Sequence, residues 1–146
     1  MQYVEFARCY EDLPPRMEES WQRFTRAMES LWQEGDSLTL IHADMMDGHV
    51  LAHGGRPYLI DWGQARYGSF YLDLPNLFNQ EQALVYRDAL AQLGHEVSVT
   101  DFLDSYHEAA RYPGLKYIGF WLHMWKPGQR EESVRGPLLD MLLHGK

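Results

Sequence analysis

The stretch that decides the fold spans residues 40–75 and reads LIHADMMDGHVLAHGGRPYLIDWGQARYGSFYLDLP. Residues 38–41 (LTLI), which overlap the start of this stretch, form an apolar run that predicts a short buried strand. Residues 42–49 contain turn formers and show no periodicity, which indicates a loop. Two apolar triplets, residues 50–52 and 58–60, flank a Gly-Gly pair, the pattern of a small antiparallel hairpin. Residues 62–75 have no clear period and are predicted to be irregular.

Two aspartates occupy comparable places around this hairpin. Asp44 lies in the loop that leaves the first strand, and Asp61 directly follows the last strand of the hairpin. If the hairpin brings the two loops together, both carboxylates face one space. One can then act as a base towards a hydroxyl, and the other can hold Mg²⁺ through oxygen, a pairing that phosphoryl transfer requires.

The two segments also resemble a known family. Residues 40–51, LIHADMMDGHVL, resemble the catalytic loop H-G-D-x-x-x-x-N of the aminoglycoside phosphotransferase and choline kinase group. Residues 59–75, LIDWGQARYGSFYLDLP, resemble the metal-binding segment of that group, I-D-[WF]-[GE]-x-A-x-x-G-x-x-x-x-D-L. Both motifs occur in the family's order, so the match is specific.

The resemblance implies a role for four residues. Asp44 matches the catalytic base, and His42 matches the histidine that supports the catalytic loop. Asp61 matches the aspartate that binds the metal and, through it, the nucleotide phosphates. Asp73 matches the later aspartate that anchors the catalytic loop by hydrogen bonds. The implied cofactors are Mg²⁺ and ATP.

Two positions depart from the motif. Ala43 replaces the usual glycine, which is tolerable unless the backbone there needs a positive φ. His49 stands where the family has a metal-binding asparagine. Neutral imidazole suits zinc, nickel or copper better than magnesium, which argues against a second magnesium site, so His49 is either a neutral or degraded position or a working ligand.

The resemblance implies a mostly helical α+β fold, the C-terminal lobe of the protein-kinase-like fold, in which the hairpin carries the catalytic and metal loops. The N-terminal lobe of the family supplies a glycine-containing loop and a lysine that hold the phosphates. This sequence has no glycine before Gly35 and no lysine before Lys116. We therefore expect a single domain, residues 1–146, that lacks the N-terminal lobe and begins with a linker-like segment, residues 1–14.

Helical patterns surround the central stretch. Apolar residues at three- and four-residue steps predict a helix from Pro15 that stops at Gly35. Further helices are predicted over residues 81–93 and 101–112, the second with Thr100 as N-cap. Pro113-Gly114 is predicted to break the chain before the next helix.

The composition restricts the classes of binding partner and predicts the cellular compartment. The formal charge of −8 opposes binding to nucleic acid or to an anionic membrane surface. No apolar run approaches the length of about 20 residues that spans a membrane. The single cysteine, Cys9, excludes an internal disulfide, and with no visible targeting signal this predicts a cytoplasmic protein.

The resemblance implies transfer of the γ-phosphate of ATP or another nucleoside triphosphate to a hydroxyl of a small molecule, such as an aminoglycoside or an amino alcohol. The missing lobe and His49 predict that the chain alone is impaired as an enzyme. The alternative is a non-catalytic kinase-like binding or scaffold protein whose uncovered surface takes a partner, either the missing lobe or a second copy. A third interpretation is a transition-metal hydrolase with five ligands in twelve residues: His42, Asp44, Asp47, His49 and His53.

Overall fold

The computed structural model describes residues 13–124 and 132–145. This part of the chain is a mostly helical α+β arrangement, which confirms the predicted class. None of its helices is long and apolar enough to cross a membrane. In chain order the elements are α1 (Leu13–Glu34), β1 (Leu38–Ile41), β2 (Val50–His53), β3 (Arg56–Leu59), β4 (Arg66–Ser69), α2 (Leu74–Leu77), α3 (Gln80–Gln92), α4 (Val99–Met124) and α5 (Glu132–His144).

Strands β2 and β3 form the predicted antiparallel hairpin. Val50 pairs with Leu59, and the strands end at the pair His53 and Arg56. The two residues between them, Gly54 and Gly55, have φ values of 59° and 75°. A two-residue hairpin turn with both residues left-handed matches the twist of the strands, and glycine adopts it without steric cost.

Strand β4 corrects the prediction that residues 62–75 are irregular. It pairs antiparallel with β1, from Leu38 opposite Ser69 to Ile41 opposite Arg66. Its sequence, Arg-Tyr-Gly-Ser, lacks the apolar alternation that marks a strand, and Gly68 weakens the signal further. The glycine has a packing reason, because a Cβ at Gly68 would lie 3.0 Å from Cδ1 of Ile41.

Helix α1 ends where the sequence predicts. Gly35 has a φ of 82°, and its N–H donates to the carbonyl of Leu31 at 3.1 Å. A left-handed glycine at this position is a common helix terminator. Residues 1–12 of the predicted linker-like start lie outside the described residues, and Leu13 and Pro14 already belong to α1.

Helix α3 matches its prediction to within one residue at each end. Asn79 caps it: the side chain accepts the N–H of Gln82, and the Gln82 side chain accepts the N–H of Asn79, both at 3.0 Å. This reciprocal capping box satisfies two amides that have no partner within the helix.

Helix α4 corrects two predictions. Thr100 is not its N-cap, because the helix begins at Val99 and the Ser98 hydroxyl accepts the N–H of Asp101 at 3.1 Å. Nor does the chain break at Pro113-Gly114, since α4 continues to Met124 with Pro113 inside it. Pro113 is fully buried.

Packing explains why α4 continues through a proline and a glycine. A Cβ on Gly114 would lie 2.6 Å from Cβ of Leu142 and 2.8 Å from the carbonyl oxygen of Leu138, both on α5. The glycine therefore allows α5 to approach closely. Burial of apolar surface along this contact favours the helix over the break that local propensity predicts.

The chain divides into two compact units. The first contains the described residues up to Ala27 and from His107 onward. Within it, Arg111 is 3% exposed and is paired with Glu108 at 2.8 Å, and its Nη1 donates to the carbonyl of Leu143 at 3.0 Å. This guanidinium satisfies a carbonyl of the last turn of α5 that has no partner within that helix.

The second unit spans Met28–Tyr106 and contains the four strands, α2 and α3. Its side chains are buried around the end of β1 and the start of α4. Ile41 is 1% exposed, and Tyr71 packs on Phe102 with their ring centroids 5.2 Å apart. All of residues 40–75 lie in this unit.

Candidate active site

The loop that follows β1 is fixed by one carboxylate. The backbone N–H of His42 donates to Oδ2 of Asp73 at 2.7 Å, and that of Ala43 donates to Oδ1 at 2.8 Å. Charge-assisted bonds to two successive amides hold the backbone more firmly than neutral ones. Ala43 has a φ of 62° and is 3% exposed, so the loop turns sharply at a buried residue immediately before Asp44.

The His42 ring connects this loop to the end of the hairpin. The ring is 1% exposed, and its Nε2 lies 2.8 Å from the carbonyl oxygen of Ile60. A carbonyl only accepts, so Nε2 carries the hydrogen and the bond secures the residue just before Asp61. The other nitrogen, Nδ1, is buried and has no hydrogen-bond partner in the described part of the chain.

Trp62 packs over this histidine. Its ring centroid lies 4.9 Å from that of His42, and its indole N–H donates to the carbonyl of Leu59 at 3.0 Å. This bond orients the tryptophan, which is 43% exposed, as a partial cover over the buried imidazole.

Asp61 opens the short 3₁₀ turn Trp62–Gln64 in a left-handed conformation, with φ 62° and ψ 55°. Aspartate tolerates this conformation better than most residues because its short polar side chain can interact locally. The side chain is 67% exposed. The turn therefore presents a carboxylate to solvent at the end of the hairpin.

His49 is the point at which the two loops meet. Its Nδ1 lies 2.8 Å from the backbone carbonyl oxygen of Asp44, so Nδ1 carries the hydrogen and donates it. Its Nε2 lies 3.6 Å from Oδ2 of Asp61, too far for a hydrogen bond. One imidazole thus spans from the backbone of Asp44 to the carboxylate of Asp61.

The structure therefore places the five predicted site residues in one region: Asp44, His49 and Asp61 around the junction of the loops, with His42 and Asp73 tying the loops together. Asp44 itself is half-buried.

The hydrolase interpretation needs three or more of its candidates to converge. No group of three His, Cys, Asp or Glu side chains able to hold a metal occurs within residues 13–124 and 132–145. Asp47 and His53 are exposed, while His42 is committed to Ile60.

The residues fit magnesium only in part. The Asp61 carboxylate supplies the oxygen that Mg²⁺ prefers, and its exposure leaves room for the water molecules that this ion retains. His49 supplies nitrogen where an oxygen ligand is expected. Asp61 alone is therefore the suitable magnesium ligand of the pair.

Burial and the nearby charge of Asp73 raise the pKa of Tyr86. Its ring contacts those of Phe70 and Phe78. Tyr86 was not among the residues predicted from the sequence. The positive φ that would make alanine unfavourable in place of the family's glycine is present at Ala43, at 62°, whereas the left-handed backbone of Asp61 was not predicted from the sequence.

Comparison with known proteins gives one family. The phosphotransferase enzyme family matches this chain over residues 2–112, more than half its length. No match was found among curated proteins or among solved structures.

Proposed function

Because the chain belongs to the phosphotransferase enzyme family, we propose that it transfers the γ-phosphoryl group of a nucleoside triphosphate, ATP in the first place, to a hydroxyl of a small molecule such as an aminoglycoside or an amino alcohol. The observation that carries the proposal is the junction at His49, where the loop of Asp44 meets the carboxylate of Asp61. A base and a metal ligand in adjacent loops are what the reaction needs.

In this proposal Asp44 accepts or orients the proton of the attacking hydroxyl. Asp61 binds Mg²⁺, which supplies neutralisation of charge on the phosphate chain when it is bound. Asp73 fixes the backbone ahead of Asp44 through its two amide bonds, and His42 holds the backbone ahead of Asp61. Asp73 and His42 thereby fix the backbone positions from which Asp44 and Asp61 act.

We propose further that these elements correspond to the C-terminal lobe of an aminoglycoside phosphotransferase-like kinase. The sequence up to Gly35 contains no lysine and no other glycine. Additional contacts to the phosphates are then supplied by a partner, either an N-terminal lobe or a second copy of the chain. We expect weak nucleotide binding by the chain alone.

The first test is calorimetric titration of the whole chain with magnesium-ATP. We expect binding that is lost in Asp61→Asn and retained in Asp47→Asn, a matched change at an exposed aspartate of the same region. No heat at millimolar nucleotide, or equal loss in the two variants, would contradict a nucleotide site at Asp61.

The second test addresses transfer itself. Product formation is measured by mass spectrometry with a panel of aminoglycosides and amino alcohols. We expect Asp44→Asn to lower the rate about 10²–10⁴-fold while nucleotide binding is kept, since a positioned base contributes that much. A variant with unchanged rate would remove Asp44 from the reaction.

One observation favours a second candidate, a kinase-like binding protein without catalysis. The hairpin exposes apolar side chains: Leu51 is 50%, Tyr58 48% and Ile60 40% exposed. Exposed apolar residues grouped on one element are typical of interaction surfaces. This candidate predicts no nucleotide binding in the titration above, together with association of the chain in light scattering that Leu51→Ser reduces.

A further inference from the structure

We propose that the hairpin of β2 and β3 is a dimerisation element, in which the outer edge of β2 pairs antiparallel with the same edge of a second copy of the chain. The two hairpins then form one four-stranded sheet around a two-fold axis, with the two β2 strands in the middle. Such a dimer forms with or without phosphoryl transfer, so it goes beyond the proposed function.

The hydrogen bonds of the hairpin show which backbone groups face outward. The N–H of Ile60 donates to the carbonyl of His49 at 3.0 Å, at the base of the hairpin. Bonded and non-bonded pairs alternate along an antiparallel ladder, which makes Ala52 and Pro57, three pairs further along, a non-bonded pair. The backbone groups of Ala52 and Pro57 therefore point towards the two outer edges of the hairpin.

The two outer edges differ in their capacity to accept a further strand. Pro57 has no N–H, so β3 lacks a donor at this position, and proline on an edge strand commonly prevents pairing with another chain. Ala52 has both an N–H and a carbonyl and is exposed. In the part of the chain that the structure describes, this sheet contains two strands only. The edge of β2 is therefore the one available for pairing.

One face of the hairpin carries exposed apolar side chains. Leu51 and Tyr58 lie directly opposite each other and are 50% and 48% exposed. A two-fold axis perpendicular to the sheet places the same face of both hairpins on the same side. Joining the two β2 strands thus brings both apolar pairs together on one face and buries part of their surface, which favours association.

The distribution of charge along the hairpin favours a second copy as the occupant of this edge. Arg56 lies at the tip of the hairpin and Asp47 lies in the turn before β2, and both are exposed. Antiparallel pairing sets the tip of each hairpin beside the base of the other, so Arg56 of one copy lies near Asp47 of the other, twice in the dimer. The formal charge of −8 opposes association, and these two contacts offset it where the copies meet.

The first experiment is sedimentation velocity of the whole chain over a range of concentrations. We expect a dimer whose fraction rises with protein concentration. Ala52→Pro removes the outward N–H and should leave the chain monomeric where the wild type is dimeric. Leu51→Ser should also reduce the dimer, whereas Val85→Ser, at a 71% exposed side chain of the same unit, should not.

A charge exchange tests the antiparallel arrangement and does not depend on the folding of the proline variant. Arg56→Glu and Asp47→Lys should each weaken dimerisation at least about threefold, because each change acts at two contacts. The double variant restores opposite charges and should recover most of the dimer. Asp88→Lys, at an exposed position on α3, makes the same change in net charge as Asp47→Lys and should not weaken dimerisation.

Circular dichroism verifies that each variant is folded. A wild type that is monomeric at every concentration, or a dimer that Leu51→Ser and both single charge reversals leave unchanged, would overturn the proposal. Magnesium-ATP binding by a chain that stays monomeric would refute the dimer and leave the phosphotransferase proposal standing. A dimer with the expected response to the charge exchange, but without nucleotide binding, would have the opposite meaning.

Discussion

At the scale of single residues, the position of Ala43 is the strongest local conflict between sequence and backbone. A left-handed conformation costs a residue with a Cβ roughly 1–2 kcal/mol, and Ala43 adopts it at φ 62°. Its place directly before Asp44 makes the conformation part of the site, because the amide that Asp73 accepts belongs to this same residue.

Ala43→Gly tests this conflict. Glycine adopts the left-handed conformation without the strain that alanine has, which stabilises the variant. Two effects oppose this gain: glycine costs about 0.5–1 kcal/mol through the entropy of the unfolded chain, and the buried methyl group is lost. The gain outweighs or balances these costs. We expect a change in the free energy of unfolding between zero and about 1 kcal/mol stabilising, measured by urea denaturation. Ala52→Gly, in the exposed strand β2, should instead destabilise by about 0.5–1 kcal/mol. Equal destabilisation of both variants would contradict the argument.

Asp73→Asn addresses the anchor of the loop. The carboxylate accepts two amide N–H groups on separate oxygens, at 2.7 and 2.8 Å, and an amide side chain in the same orientation keeps only one of these oxygens. The second N–H then faces another donor, which we expect to destabilise the protein by about 1–3 kcal/mol in urea denaturation.

The control for this change is Asp88→Asn, at a 64% exposed side chain on α3 whose partner is the neighbouring Arg87. Surface pairs of this kind contribute little, so its unfolding midpoint should stay near that of the wild type. An Asp73→Asn midpoint equal to that of Asp88→Asn would show that the two bonds do not hold the loop.

At the scale of elements, the contact between α4 and α5 depends on one missing side chain. Gly114→Ala should destabilise the protein by about 1–3 kcal/mol, because the new Cβ would lie 2.6 Å from Leu142 Cβ and 2.7 Å from its backbone nitrogen. The gain in helix propensity of about 1 kcal/mol does not compensate for displacement of a whole helix backbone. Thermal unfolding followed by circular dichroism measures the change.

Gly48→Ala is the comparison for that variant, since a Cβ there meets nothing within 4 Å and the φ is not positive. It should be close to neutral. A Gly114→Ala protein that is as stable as Gly48→Ala would mean that α5 moves without cost.

The elements also show how far the sequence predicts the structure. The hairpin could be predicted because Gly54-Gly55 encodes its turn locally, and the end of α1 because Gly35 does the same. Strand β4 could not, since Arg66–Ser69 is defined by pairing with distant β1 rather than by its own pattern. Likewise, Pro113 predicts a break in the helix. Helix α4 continues instead, because Pro113 is buried against other parts of the same unit.

The candidate site follows the same rule. The types and order of Asp44, Asp61 and Asp73 were accessible from the motifs, whereas the meeting of both loops at His49 was not. That meeting depends on a backbone carbonyl of Asp44, and no side-chain pattern identifies which carbonyl a ring nitrogen will contact.

At the scale of the whole molecule, the site and the buried phenols occur in the same unit, Met28–Tyr106. Burial raises the pKa of Tyr71 to about 12, with a hydrogen bond to Ser105 opposing and the charge of Asp101 adding to the rise. Burial likewise raises the pKa of Tyr106, whose hydroxyl donates to the carbonyl of Phe78 at 2.6 Å. Each phenol is neutral in the folded unit at a pH where an exposed phenol ionises.

This arrangement predicts loss of stability in alkali. Below pH 10 the Tyr71 phenol is neutral in both the folded and the unfolded chain, so its contribution is fully present. Between pH 10 and about 12 the Tyr71 phenol is ionised in the unfolded chain but still neutral in the folded one. The free energy of unfolding therefore falls by about 1.4 kcal/mol for each pH unit in this range. We expect Tyr71→Phe to retain more of its pH 8 stability at pH 11 than the wild type does, measured by urea denaturation at each pH. Tyr58→Phe, on an exposed strand, controls for removal of a phenolic hydroxyl. Parallel stability curves for the wild type and Tyr71→Phe across this range would show that another group governs alkaline unfolding.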